Sequence, residues 1–279
     1  MKLPKKELVK NKNKTALAKA LNISRSSLYY VSKKEEKDWK LKNEIETVLK
    51  KRGQKSYGSR RIAYALGMNR KRIQRVMRKY GIKPYRKRGR KWRKKKKTEV
   101  VYENLLHYNV PSHPNHVWAA DFTELGYHGL TVYIATVIDL FTREILGVTV
   151  SLNKGTQLTL QALYSALLKN SRSKIFHSDN GKEYEAKVFV NTLCELGIKI
   201  SRSAPGCPWE NGYQESFYDK FKVDLGDPNR FDSLGMLVAE IYRTVWDYNN
   251  IRIHSALRMP PRMFMVQYEY TLTDIKLVS

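Results

Sequence analysis

The chain is short of cysteine, of acidic residues over its first hundred positions and of long apolar runs, and each shortage excludes something. Its two cysteines, Cys194 and Cys207, stand in no Cys-x-x-Cys pair, which leaves no disulfide framework and no cysteine-built zinc module, and fits a reducing compartment. No apolar run reaches the roughly 18 residues that a membrane helix needs. The amino terminus, Met1-Lys2-Leu3-Pro4-Lys5-Lys6, runs into further lysines and not into the apolar stretch of a secretory signal. A cytoplasmic protein with no membrane partner is expected. With 279 residues, 42% of them hydrophobic, the chain can bury one large core or two ordinary ones, so disorder is excluded as a class.

What the sequence has in excess is positive charge: 53 Lys and Arg against 26 Asp and Glu, a net +27. The excess is unevenly placed. Residues 1–100 hold 36 basic and 7 acidic residues, whereas residues 101–279 hold 17 and 19, so one third of the chain is built to meet phosphates and the rest is electrostatically ordinary. In the basic third, Leu17, Leu21, Ile23 and Leu28 fall at helical spacing on two short segments, with Ser24 as an N-cap and Arg25 in the turn that follows. The spacing predicts a helix-turn-helix over Thr15 to Tyr30. A second pair is predicted from Arg60 to Leu66, a Gly67-Met68 turn, and a helix capped by Asn69 that runs to Tyr80 and ends at Gly81. On that last helix Ile73, Val76, Met77 and Tyr80 share one face, and Arg70, Lys71, Arg72, Arg75, Arg78 and Lys79 cover the others, a distribution that suits the DNA major groove. Lys33 to Lys50 alternates signs and reads as an exposed connecting helix, with Leu41, Ile45, Val48 and Leu49 as a bundle-core stripe. Lys83 to Lys97, with eleven basic residues and no acid, reads as an extended arm that tracks DNA. The division is therefore a basic helical region over 1–82, a basic linker over 83–112 and a second domain over 113–270.

After Pro111 and Pro114 the texture changes. Val117 to Leu125, Leu130 to Asp139 and Glu144 to Leu152 are β-branched and aromatic runs that predict three antiparallel strands. Gln157 to Lys169 reads as a helix, Lys174 to His177 as a strand, Glu185 to Leu196 as a helix, Ile198 to Arg202 as a strand, and Asn211 to Leu225 and Leu234 to Asn250 as two closing helices. This order predicts an α/β, ribonuclease H-like mixed sheet flanked by helices. Phosphodiester chemistry on DNA calls for hard cations held by carboxylates. Asp121 lies inside an otherwise apolar strand, a costly place for an acid without a partner or a metal. Asp179 follows the fourth predicted strand in His177-Ser178-Asp179-Asn180-Gly181, and Glu215 lies on the helix after Asn211-Gly212. Lys222, seven residues after Glu215, shares its helical face and can meet a phosphate beside the metals. Asp139 reads as a turn residue and Glu124, Glu183 and Glu185 as solvated surface.

The segments Asp121-Phe122-Thr123, Asp139-Leu140-Phe141-Thr142-Arg143, His177-Ser178-Asp179-Asn180-Gly181 and Glu215-Ser216-Phe217, with Tyr248-Asn249, Arg252 and His254, resemble the integrase-like core of bacterial insertion-sequence transposases. Tyr57-Gly58-Ser59-Arg60-Arg61-Ile62 and Arg75-Val76-Met77-Arg78-Lys79-Tyr80-Gly81-Ile82 resemble the basic region of the copy-out, paste-in group, whose downstream-frame product is related to retroviral integrases. The resemblance runs from about Thr15 to Phe264. It implies a DNA transposase in which Asp121, Asp179 and Glu215 are catalytic and bind two magnesium ions, with manganese as a possible substitute. Its partners would be the element's terminal inverted repeats and target DNA, further copies of the chain on that DNA, and an upstream-frame product joined by frameshifting or bound separately. The location implied is the bacterial nucleoid. Arg252 is placed among the DNA contacts, and with Tyr248 and His254 it either organises the last helix against the core or contacts DNA. Asn211, within Glu210-Asn211 where the family has Asp-Asn, is an accessory candidate at the helix start. A non-catalytic regulator that binds element ends and a ribonuclease H-like nuclease are the alternatives.

Overall fold

The computed structural model of the chain describes residues 14–20, 22, 24–26, 34–85, 102–204 and 207–278. It divides into two compact units, Met1–Glu44 and Ile45–Ser279. In the first, α1 spans Lys14–Ala20 with Ala18 buried, and Arg25 is exposed in the short helical stretch that Ser24 precedes. The rest of the expected first helix pair, including Leu21, Ile23, Leu28 and Tyr30, lies outside the described residues, as does the predicted arm from residue 86 onward. Helix α2, Lys34–Lys50, carries Glu35 and Glu36 in its first turn and Lys50 in its last, each charge opposite to the nearby helix dipole end. Its apolar stripe behaves as expected: Leu41, Ile45 and Val48 are buried.

In the second unit the predicted helix pair forms as α3, Ser59–Leu66, and α4, Arg70–Lys79. Gly67 takes a left-handed φ of +61° and lets the Met68 N–H reach the Ala63 carbonyl at 3.0 Å; Asn69 then caps α4 by accepting from the Lys71 N–H at 2.8 Å. Gly81, at φ +66°, closes α4 in the same way. Ile73, Val76 and Met77 are buried, while Arg70, Lys71, Arg72, Arg75, Arg78 and Lys79 are all exposed.

The remainder builds a five-stranded sheet of order β3-β2-β1-β4-β5. Strands β1 (Val117–Tyr127), β2 (Leu130–Asp139) and β3 (Ile145–Ser151) pair antiparallel; β4 (Ile175–Ser178) joins β1 in parallel and β5 (Lys199–Arg202) joins β4 in parallel. This is the ribonuclease H-like arrangement that the element order predicts. Helix α5 (Thr156–Leu167) and the pair α6 (Lys182–Glu185) and α7 (Lys187–Glu195) pack on one face with Trp118, Ala120 and Phe176; α8 (Gly212–Leu225) and α9 (Leu234–Asn250) pack on the other with Val117, Ala119 and Ile175. Gly147 of β3 permits the close approach of α5, since a Cβ there would overlap the Ala162 carbonyl oxygen and sit 2.9 Å from the Ala166 nitrogen. Two expectations are corrected. The single helix expected over Glu185 to Leu196 is broken at Ala186, whose ψ of 131° is extended. A third closing helix, α10 (Pro261–Val278), follows the two expected, with Pro261 at its first position where no N–H is required. Among the described residues no helix is long and apolar enough to cross a membrane.

Candidate active site and nucleic-acid groove

The parallel ladder between β1 and β4 sets Val117, Trp118 and Ala119 beside Ile175, Phe176 and His177. Asp121 lies two residues beyond the last of these pairs on β1, and Asp179 lies one residue past the end of β4 at Ser178. By alternation along β1, Asp121 shares the face carrying Val117 and Ala119, which α8 covers. Pairing of segments 58 positions apart thus carries both acids to the same end of the β1–β4 ladder. Asp121 Oδ1 accepts from the Phe122 N–H at 2.8 Å and Asp179 Oδ1 from the Gly181 N–H at 3.0 Å. At the second turn a Cβ on residue 181 would stand 2.9 Å from Asp179 Oδ1 and 3.1 Å from Glu183 Oε2, so a larger residue there would shift the Asp179 carboxylate.

Helix α8 is latched across β1 on both sides of Asp121. Gln214, fully buried, donates through Nε2 to the Ala119 carbonyl at 2.7 Å and accepts from the Thr136 hydroxyl at 3.1 Å. One turn on, the Tyr218 hydroxyl donates to the Asp121 carbonyl at 2.7 Å. Glu215 lies between them in sequence, exposed in the first turn of α8, where the helix dipole favours an anion. Burial, and then the neighbouring Asp219 one turn away, raise its carboxyl above the usual range. Asn211 takes the N-cap position but makes no side-chain cap, and its buried Oδ1 has no partner among the described residues.

A second layer fixes the Asp179 loop. Arg202, 1% exposed, donates to the Asp179 carbonyl at 3.3 Å, the Tyr184 carbonyl at 2.6 Å and the Ser178 hydroxyl. His177 bonds to the Ser201 and Ser203 hydroxyls at 2.9 and 3.0 Å, and burial pushes its pKa down to about 4, so it is neutral at pH 7. The sequence reading saw Arg202 only as the end of a strand. Glu210 accepts from Asn104 at 2.8 Å and the Ala204 N–H at 2.6 Å and thus ties down the loop before α8. Asp139 is a turn residue as expected, taking the Phe141, Thr142 and Asn115 N–H groups at 2.6 to 2.8 Å.

Among the described residues no group of three His, Cys, Asp or Glu is drawn together to metal-binding distance. The donor chemistry nevertheless fits a hard divalent cation: carboxylate oxygens at one end of the β1–β4 ladder, and a buried Tyr184 hydroxyl with no hydrogen-bond partner among the described residues. The charges of Asp121 and Asp179 both act on that hydroxyl, and with burial they hold it well above its ordinary pKa.

Next to this site runs a groove of about 1540 Å³, lined by Arg60, Arg61 and Arg70 of the helix pair and by Phe122, Lys220 and Lys222 of the core. Lys222 lines this groove. Arg252 does not. It is 2% exposed, and its guanidinium binds Asp224, the Gly53 carbonyl at 2.7 Å and the Ser56 hydroxyl at 2.7 Å, so it clamps the turn before α3 onto the core and is withdrawn from the DNA contacts. The Ile253 N–H, donating to the Tyr57 hydroxyl at 2.7 Å, and Arg52, paired with Glu240 and Asp247, join the same clamp. His254 is half-buried, with its N–H bonded to the Met259 carbonyl at 3.0 Å.

Residues 111–208 match the family described as integrase core domain, and residues 196–261 match a second family of the same description. The chain is 35% identical over 159 residues to the transposase InsF for insertion sequence IS3A of Escherichia coli strain K12, a match that covers 56% of this chain and 55% of that protein. It is 32% identical over 147 residues to the transposase for insertion sequence element IS904 of Lactococcus lactis, covering 52% and 58%. The matches thus span a little over half the length of these relatives. Among solved structures, the HTLV-2 integrase catalytic core domain in complex with magnesium is similar at a TM-score of 0.43 and 20% identity, over 55% of this chain and 97% of that one. A simian T-cell lymphotropic virus intasome is similar at a TM-score of 0.48 and 16% identity, over 75% and 70%.

Proposed function

We propose that this chain, whose residues 111–261 form an integrase core domain related to those of insertion-sequence transposases, is a DNA transposase. In this reading it frees a 3′-hydroxyl at the ends of a mobile element and transfers it to a second phosphodiester. The observation that carries the reading is the β1–β4 ladder, which leaves Asp121 and Asp179 at its same end, flanked by a helix that Gln214 and Tyr218 hold against β1 and that bears Glu215 in its first turn. Asp121, Asp179 and Glu215 are the catalytic residues and would hold two magnesium ions. Bound ions of this kind supply Lewis-acid stabilisation of the attacking and leaving oxygens.

The protein's own groups position the substrate. Lys222 and Lys220 neutralise phosphate oxygens next to the carboxylates, and the groove that they share with Arg60 and Arg70 carries the duplex toward the site. Arg70, Lys71, Arg72, Arg75, Arg78 and Lys79 grip the DNA through α4, and Arg25 adds a contact from the first unit. Water and then the freed 3′-hydroxyl attack phosphorus in line, and no covalent bond to the enzyme forms. The DNA partners are the element's terminal inverted repeats and the target. Further copies of the chain assemble on them at the bacterial nucleoid, with an upstream-frame product fused or bound.

Strand joining on oligonucleotides taken from the element's own ends tests the proposal. The chain joins them in magnesium, and Asp121→Asn stops joining while duplex binding persists. Joining retained in Asp121→Asn, or cleavage of an RNA–DNA hybrid in place of joining, sinks it.

A further inference from the structure

Two arginines in the second unit hold guanidinium N–H groups away from water with no protein acceptor among the described residues: Nε and Nη1 of Arg143, and Nε of Arg61. Both line one small cavity of about 50 Å³, together with Tyr213 and Lys220 of α8, Tyr248 of α9 and His254. A single water takes roughly 10–15 Å³, so the space is large enough for a tetrahedral oxyanion. The charged side chains that line it are all cationic. Asp224, the carboxylate whose charge reaches Arg61, is already bound to Arg252.

The cations converge. Burial, then the charges of Arg143, Arg61 and Arg252, push His254 down to about 4, and the same three guanidinium groups act on the buried Tyr248 hydroxyl. His254 is therefore neutral at pH 7 and offers no negative charge to balance them. Arg143 reaches the cavity from the turn between β2 and β3 at a φ of +64°, a conformation that side chains of its kind seldom adopt, and its guanidinium lies 4.1 Å over the Tyr213 ring. Backbone strain is spent here on delivering a positive charge to a place where like charges already gather. Like charges withdrawn from water repel one another and lose solvation, so the arrangement calls for an anion.

We infer that this cavity is a phosphate subsite in which Arg61, Arg143 and Lys220 receive the oxygens of one phosphate group. Arg61 and Lys220 also line the groove beside the carboxylates, so a phosphate of a DNA strand lying in that groove is the occupant. Only the source of the phosphate rests on the transposase reading. The cavity and its charge do not.

The test uses the full chain carrying Asp121→Asn, with and without Arg143→Gln. Thermal melting in sodium phosphate against sodium chloride of equal ionic strength reads inorganic phosphate. Phosphate raises the Tm of the parent, and Arg143→Gln loses that response. Duplex binding measured across a salt series reads DNA: the log–log slope falls by about 0.9 with Arg143→Gln, the loss of one phosphate contact. Without phosphate, Arg143→Gln melts no lower than its parent, because the substitution relieves repulsion. A lower Tm there makes Arg143 a packing residue on Tyr213 and overturns the inference, as does a phosphate response that survives the substitution. A lost phosphate response with an unchanged slope supports the subsite and overturns DNA as its source. Failure of the transposase reading is separate and shows as absent joining by the chain with Asp121 intact.

Discussion

Arg252 decides between a DNA contact and an internal clamp, and the two roles respond oppositely to one substitution. Its side chain is 2% exposed and that of its partner Asp224 is 8% exposed. Arg252→Met leaves Asp224 charged or newly protonated in a buried site. The carboxyl already sits above its usual range through burial and is held down chiefly by this arginine. Removing one member of a buried ion pair costs about 3–5 kcal/mol, a shift of roughly 100- to 1000-fold or more in the folded population. Adding Asp224→Leu removes the abandoned charge. What stays lost are the bonds to the Gly53 carbonyl and the Ser56 hydroxyl, each worth about 0.5–1.5 kcal/mol. The double variant is therefore destabilised by only about 1–3 kcal/mol, less than either single variant at about 3–5 kcal/mol, and that non-additivity is the signature of the pair. Urea unfolding of the two single variants and the double variant measures this directly. If Arg252→Met instead unfolds with the wild-type midpoint while its duplex-binding slope against salt drops by about 0.9, the arginine reaches a phosphate and the clamp is refuted.

Gly147→Ala drives a methyl group into the backbone of α5 at Ala162 and Ala166, both of them buried on a rigid helix, and costs about 1–3 kcal/mol in urea unfolding; a wild-type midpoint contradicts the packing. His254 makes stability depend on pH in a defined window. Its folded pKa of about 4 lies below the unfolded value of about 6.5, so the unfolded chain binds more protons between them. Stability is then full above about pH 6.5, falls as pH drops toward 4 with a slope of up to ~1.4 kcal/mol per unit, and loses nothing further from this group below that. His254→Gln removes that contribution and leaves the one from His177, whose folded pKa is also about 4; equal pH dependence in variant and parent refutes the assignment.

The parts of this molecule that depend on short-range rules were legible without coordinates. The α3–α4 turn follows from Gly67 at positive φ and Asn69 at the cap, and the three antiparallel strands follow from β-branched runs punctuated by turns. The break at Ala186 was hidden because the surrounding residues carry an unbroken helical pattern, and only packing of Tyr184 and Phe189 into one aromatic cluster makes the chain bend there. Gln214 and Arg202 escaped notice because a buried glutamine or arginine looks in sequence like any surface residue. Their roles are set by carbonyls on strands that lie 95 and 23 positions away.

Charge distribution and local chemistry, which are properties of the sequence itself, determined that a strongly basic helical region precedes an α/β core and singled out Asp121, Asp179 and Glu215 as candidate acids. Only the tertiary structure decided that β1 and β4 pair so that Asp121 and Asp179 lie at the same end of their ladder, that Arg252 is interior, and that Arg61 and Arg143 share a cavity with no acid in its lining. The reason is physical. Spacing along a chain fixes which residues share a face of one helix or strand, whereas burial, and with it the cost or use of a charge, depends on which distant segments fold over it.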